Sequence, residues 1–263
     1  MNCLIIGGNR FVGKRLAKEL IWLGNEVTVF NRSGTGPSNV NIIKGNRNTK
    51  KDIDKIDFSK YDCVVDMCLY KIEQFELVKD LIPKDTNYIF VSSGAVDCLE
   101  SFGEYGIEKK NVEEALIKTN LNYKIIRPSY IVGENDHTSR LDYFISKLKN
   151  RQPIEISGDG NYPINLIFAE DVMKCLLSQM YEKNKTHKIY YVCSDESITI
   201  NELIDYIKNQ LGIKNHKTID SEEALFLNQV FEFDNSDIKK DYEINFINVK
   251  DGIKNYIEGR NEF

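Results

Sequence analysis

The sequence predicts an α/β fold, a doubly wound parallel sheet with a smaller C-terminal part. Three observations carry this expectation. Short apolar runs alternate with segments of helical period through the first half of the chain. The runs are apolar at nearly every position, as in strands covered by helices on both faces. A glycine turn stands between the first run and the first helical segment. Strands alternating with helices imply right-handed βαβ crossovers and a parallel sheet.

Residues 2–6 read as strand and 11–23 as helix. Residues 26–30, 41–44, 62–66 and 87–92 read as buried strands, with helical spacing over 72–81. An amphipathic helix is predicted over 104–118 and a strand over 123–126. Beyond Arg127-Pro128 the rhythm is less regular. A helix near 139–149 precedes a loop at Gly158-Asp159-Gly160, and a helix follows over 169–181. A strand over 188–192 and a helix over 199–211 come next, and the tail, 221–256, has helical period with one or two breaks. The simplest partition puts 1–133 in the sheet domain, with 169–193 completing the sheet. Residues 134–168 and 194–263 then form a smaller substrate-binding part over the carboxyl edge, where ligands of open α/β sheets bind.

The chain has 263 residues, 41% hydrophobic and 29% charged, with a net charge of −5. That composition suits a globular protein with a sizeable core and gives no basic field to recruit nucleic acid or anionic membrane. No apolar run approaches the roughly 18 residues a bilayer span needs. The N-terminus lacks a basic segment followed by a signal-length apolar stretch, so the expected location is cytoplasmic. Six cysteines form no C-x-x-C pair, and three isolated histidines show no metal-ligand spacing, so reduced thiols and no metal are expected.

The glycine turn is Gly7-Gly8-Asn9-Arg10-Phe11-Val12-Gly13. Gly7 permits a tight turn after the strand, and Gly13 lets the helix pack closely on it. Free N–H groups at the helix N-terminus then face a pyrophosphate, which makes this a dinucleotide site of Rossmann type. Arg10 stands where the middle glycine of the usual fingerprint falls. The second strand ends at Asn31-Arg32. NAD enzymes commonly place a carboxylate there for the ribose hydroxyls. Asn31 removes that charge, and Arg32 with Arg10 can pair with a 2′-phosphate. The cofactor is therefore NADP or NAD, with NADP favoured and Arg32 as a solvated loop residue the competing reading. The basic stretch 44–55, with Arg47, Lys50 and Lys51, reads as a solvated loop.

Tyr105 and Lys109 lie four residues apart, on one helix face. A phenol is a poor base near neutrality. A neighbouring ammonium stabilises the phenolate and also suits the nicotinamide ribose. Tyr143/Lys147 and Tyr181/Lys185 share the spacing, but only Tyr105 follows the strand ending Val91-Ser92-Ser93. Ser93 is the expected partner of a substrate oxygen.

Together these residues resemble the short-chain dehydrogenase/reductase superfamily, most closely the extended or atypical members of its NAD-dependent epimerase/dehydratase branch. The resemblance covers nearly the whole chain. The glycine turn, Ser93, Tyr105/Lys109, Arg127-Pro128 with Gly133, Asp159-Gly160 and Phe168-Ala169-Glu170-Asp171-Val172 carry it. It implies a catalytic set of Ser93, Tyr105 and Lys109. It implies a cofactor set of Gly7, Asn9, Arg10, Phe11, Val12, Gly13, Asn31, Arg32, Asn46, Met67, Cys68, Tyr105, Lys109 and Pro128. It also implies a small-molecule substrate, often a sugar nucleotide, and a homodimer through the helices at 72–81 and 104–118.

Four departures bear on the chemistry. Eleven residues separate Ser93 from Tyr105, a short segment for the family. Asp97 stands where a tyrosine commonly follows the serine strand. Ile164 stands where nucleotide-sugar enzymes often place a phosphate-binding arginine. Gly94-Ala95 follow Ser93 in place of the Asp-Glu pair of 4,6-dehydratases, which makes water elimination the least expected chemistry. The leading expectation is an NAD(P)-dependent oxidoreductase or epimerase acting on a hydroxyl/carbonyl centre. The alternative is a non-catalytic dinucleotide-binding regulator or RNA-binding protein of the same fold.

Overall fold

The computed structural model describes residues 1–182 and 187–261. The chain divides into two compact units. The first comprises Met1–Pro128 and Val172–Tyr191. In order it holds β1 (Asn2–Ile6), α1 (Phe11–Trp22), β2 (Glu26–Asn31), β3 (Asn41–Lys44), α2 (Lys50–Ile53), β4 (Cys63–Asp66), α3 (Ile72–Glu76), β5 (Asn87–Val91), α4 (Leu99–Ile117) and β6 (Asn122–Pro128). The second, Ser129–Asp171 and from Val192 onward, begins with β7 (Tyr130–Val132), α5 (Arg140–Lys149), β8 (Ile154–Ile156) and β9 (Pro163–Phe168). Next, α6 (Ala169–Met180) and β10 (Lys188–Val192) lie in the first unit but for their boundary residues. The second unit resumes with β11 (Ser197–Thr199), α7 (Ile200–Gln210), β12 (Thr218–Asp220), α8 (Ser236–Tyr242) and α9 (Val249–Asn261).

Among the described residues the first unit's sheet runs β10-β6-β5-β4-β1-β2-β3. The ladders from β3 through β6 are parallel. The chain steps outward from β1 through β2 and β3, then returns to β4 on the other side of β1. That reversal opens a crevice at the carboxyl ends of β1 and β4. Leu4, Ile6, Phe30, Val64, Tyr88 and Phe90 from the strands pack with Val112 and Leu116 of α4 in one core cluster. Burying each such side chain contributes about 1.5–3 kcal/mol.

The second unit pairs β7 parallel and β11 antiparallel to β9, and β8 parallel to β12. Its α7 begins with a capping box, Thr199 and Glu202 each accepting the other's backbone N–H.

The doubly wound parallel sheet agrees with the sequence expectation, and several elements correct it. The predicted helix over 72–81 is α-helical only as Ile72–Glu76, and tighter turns such as Val78 N–H to Phe75 O follow. Pro83 disfavours the helical region for the residue before it. The helix expected from 104 starts at Leu99 and breaks at Gly103, whose φ of 52° and ψ of −135° are non-helical. The tail is not helical over 221–235. Phe231 forms a bridge with Ile164, and Asn165 N–H donates to Phe231 O at 2.8 Å, so backbone pairing wins over helical period there. The short strands β7, β8, β9, β11 and β12 are additions to the expected elements.

Candidate active site

The glycine turn leaves β1 and enters α1. Gly7 holds φ at 95°, and its N–H donates to Phe30 O at 3.0 Å. A Cβ on Gly13 would stand 2.8 Å from Gly7 O and 2.9 Å from Gly8 Cα. Helix and turn are therefore in backbone contact at Gly13. Phe11, the first helical residue, is held at φ 44°, a region non-glycine residues rarely occupy. Arg10 is the N-cap of α1, with no side-chain cap and no acidic residue in the first turn. The positive end of the helix dipole is thus unopposed by local carboxylates.

Around the turn, Asn9 Nδ2 donates to Ser33 Oγ at 2.8 Å and Thr35 Oγ1 at 3.0 Å. Asn31 Oδ1 accepts from Ser33 Oγ and Gly34 N, both at 2.8 Å, and its Nδ2 donates to Thr35 O. Asn31 is committed to ordering the loop after β2. Arg10 and Arg32 are exposed, and Val12 is buried. Met67 and Cys68, just past β4, face the turn closely: Cys68 Sγ lies 3.1 Å from where a Gly7 Cβ would be. Burial pushes the Cys68 thiol up, so it stays a thiol near neutrality. Asn46 accepts from Asn48 N, and its own N–H donates to Asp52. Pro128 is buried at the end of β6.

On α4, Tyr105 follows the Gly103 break by two residues and is 42% exposed, while Lys109 is 2% exposed. Lys109 Nζ donates to Val91 O at 2.9 Å, at the carboxyl end of β5. It also lies 4.8 Å from the Tyr70 ring centroid and 4.9 Å from that of Phe90. Burial pushes the Lys109 ammonium down to about 7, against the opposing pull of Asp66. Tyr70 and Tyr105 have ring centroids 6.4 Å apart, so Tyr70 adjoins both members of the pair. Burial pushes the Tyr70 phenol up to about 12. Ser93 Oγ accepts from Ala95 N at 3.2 Å and caps a short 3-10 turn, Gly94–Asp97.

Asp97, at the end of that turn, accepts from Arg127 Nη1 at 3.2 Å and from Tyr191 Oη. Arg127 also forks onto Glu113 of α4, with Nη2 to Oε2 at 2.6 Å. The short Ser93–Tyr105 segment is therefore tied to β6 and α4 by charge.

One expectation is overturned. Arg47 is not a solvated loop residue. It is 7% exposed and grips Asp66 with both terminal nitrogens, at 2.5 and 3.0 Å. Tyr88 Oη also donates to Asp66, at 3.1 Å. Asp66 is fully buried at the end of an apolar strand, and an unpaired carboxylate there would be too costly, so Arg47 is drawn in. The sequence reading also missed Tyr70.

Among the described residues no group of His, Cys, Asp and Glu is arranged to hold a metal ion. A family model for the NAD dependent epimerase/dehydratase family matches residues 92–193. The chain is 26% identical over 232 residues to the chloroplast stem-loop binding protein of 41 kDa b of Arabidopsis thaliana, over 76% of this chain and 60% of that protein. It thus spans less than two thirds of that relative's length. The solved UDP-glucose 4-epimerase of Thermotoga maritima, with UDP-glucose, matches with a TM-score of 0.81 at 18% identity, covering 100% of this chain and 99% of that one. The dTDP-glucose 4,6-dehydratase of Bacillus anthracis, in complex with NAD, matches at 0.82 and 12% identity, over 100% and 97%. At these identities the structural likeness is one of fold.

Proposed function

We propose that this chain, a relative of the NAD-dependent epimerase/dehydratase branch of the short-chain dehydrogenase/reductase superfamily, is an NAD(P)-dependent oxidoreductase or epimerase acting on a hydroxyl/carbonyl centre. The observation that carries this reading is the Tyr105–Lys109 pair, with the Lys109 ammonium seated at the carboxyl end of β5. The residues present fit a dinucleotide. Gly13 brings an uncapped helix N-terminus against the turn, and that terminus suits a pyrophosphate. When bound, the nicotinamide accepts and returns hydride.

The chain's own residues supply the rest. Tyr105 holds or releases a proton at its phenol oxygen, and charged Lys109 stabilises the phenolate. Ser93 Oγ already accepts from Ala95 N, which leaves its O–H to donate to a substrate oxygen. Asn9, Arg10, Phe11, Val12, Met67, Cys68, Asn46 and Pro128 would line a bound dinucleotide. NADP is favoured over NAD, because Asn31 is uncharged and turned onto its own loop while Arg10 and Arg32 are exposed.

The substrate is a small molecule. A sugar nucleotide is one candidate by analogy with the similar structures, but Ile164 is buried in β9, which argues against phosphate binding there. We place the protein in the cytoplasm as a homodimer through α3 and α4, where Ile107 and Ile117 are exposed apolar residues. No helix among the described residues is long and apolar enough to cross a membrane. A second reading, a non-catalytic dinucleotide-binding protein that contacts RNA, is favoured by the likeness to the stem-loop binding protein. Tyr105→Phe separates the two. An enzyme loses at least about 100-fold in turnover while keeping cofactor affinity. A regulator keeps RNA and cofactor binding and has no turnover to lose, so a Tyr105→Phe variant with unchanged turnover, or a wild-type chain with none, would reject the catalytic reading.

A further inference from the structure

None of the roles above uses Arg47, Asp66 or Tyr88. Stability does not explain them well. A buried ion pair rarely contributes more than an apolar replacement of the same volume. Here Arg47 Nε is buried without a hydrogen-bond partner among the described residues, which adds a cost. Their location is informative. Asp66 ends β4, and its register partner on β5 is Phe90. Lys109 Nζ lies over the Phe90 ring and donates to the next carbonyl, Val91 O. The ion pair and the lysine thus meet at the ends of the same two strands.

We propose that Arg47 and Asp66 are positioning residues that set the charge carried by Lys109, and through it the reactivity of Tyr105. Asp66 faces Lys109 from β4 and Arg47 from the loop after β3. Cys68 and Tyr70 face it from the loop after β4, and Glu113 and Tyr105 share its helix. Of these, Asp66 favours the ammonium and Arg47 opposes it. Held together by two hydrogen bonds, they act against one another, and burial, the largest influence, brings Lys109 down to about 7. Either partner alone would pull the Lys109 midpoint away from neutrality, in opposite directions. Tyr88 Oη, bonded to Asp66 Oδ2, trims the carboxylate's share.

The consequence for Tyr105 rests on the catalytic reading above, but the effect on Lys109 does not. The test is a pH titration of the Lys109 Cε carbon by NMR in the full chain labelled with 13C-lysine. Arg47→Met should raise the Lys109 midpoint by about one pH unit or more, and Asp66→Asn should lower it by a similar amount. The double variant should return near the wild-type midpoint. Structural damage alone would move both single variants the same way, and that outcome, or no movement, overturns the proposal. Should a single variant fail to fold, Tyr88→Phe carries the test. It leaves the ion pair in place and should raise the midpoint by at least about 0.3 pH unit. An unchanged midpoint there overturns the proposal equally. If Lys109 shifts as stated while the pH profile of turnover stays fixed, the catalytic reading fails and the electrostatic inference stands.

Discussion

Gly13→Ala strikes the point where helix and glycine turn touch. The added methyl would lie 2.8 Å from Gly7 O, 2.9 Å from Gly8 Cα and 3.0 Å from Met67 Sδ. The thioether can swing aside, but the two backbone atoms cannot. Ordinary contact is restored only if α1 withdraws by roughly half an ångström. Overpacking of this kind costs about 1–3 kcal/mol, while alanine gains about 1 kcal/mol over glycine inside a helix. The net loss is therefore about 0–2 kcal/mol, or a fall in Tm of at most about 8 °C for a chain this size. Dinucleotide affinity should fall at least about tenfold, because the shifted N–H groups no longer converge on the pyrophosphate. Thermal unfolding and calorimetric titration with NADPH and NADH measure the two effects. Gly24→Ala is the control, since it strains a φ of 78° in open space and should cost stability without affinity. A folded Gly13→Ala variant with wild-type affinity would refute the assignment of the turn.

Three further outcomes follow from the same geometry. Lys109 binds its proton less tightly folded than unfolded, at about 7 against 10.5, so between those values the unfolded chain holds more protons and native stability rises with pH. Lys109→Met lacks this dependence, so its stability relative to wild type should be greatest below pH 7 and shrink by up to about 1.4 kcal/mol per pH unit above it. Denaturant unfolding at pH 6, 7.5 and 9 checks this, and a constant difference would contradict it. Arg127→Met strands Glu113, 2% exposed, and should cost about 3–5 kcal/mol in urea unfolding. Asn31→Asp keeps the acceptor for Ser33 and Gly34 but adds a negative charge beside Arg32. It should weaken NADPH by about tenfold while sparing NADH, as read by competitive titration.

The strand–turn–helix at residues 2–23 was legible because every signal in it is local: an apolar run, two glycines and a helical period. That β1 to β6 pair in parallel was legible from their alternation with helical segments, though their order in the sheet was not. Arg47 was not, because nothing within its own stretch distinguishes it from the lysines beside it. Its partner Asp66 lies 19 positions away, and the one hint was a carboxylate ending an otherwise apolar strand. The Gly103 break shows as a glycine in the sequence, but not as a left-handed φ that restarts the helix just before Tyr105. The second unit was the least legible. Its strands are short, and Phe231 pairs with a segment more than sixty residues away, a contact that no local period encodes.

The central claim is a dinucleotide crevice at the glycine turn serving Tyr105 and Lys109. Its most direct test is to denature freshly purified protein, identify any released nucleotide by mass spectrometry, and then titrate the remaining empty protein with NADPH and NADH. The account predicts NADP(H) or NAD(H), either released or bound on titration, with NADPH the tighter ligand. Failure to release either nucleotide, and failure to bind both at millimolar concentration, would contradict it.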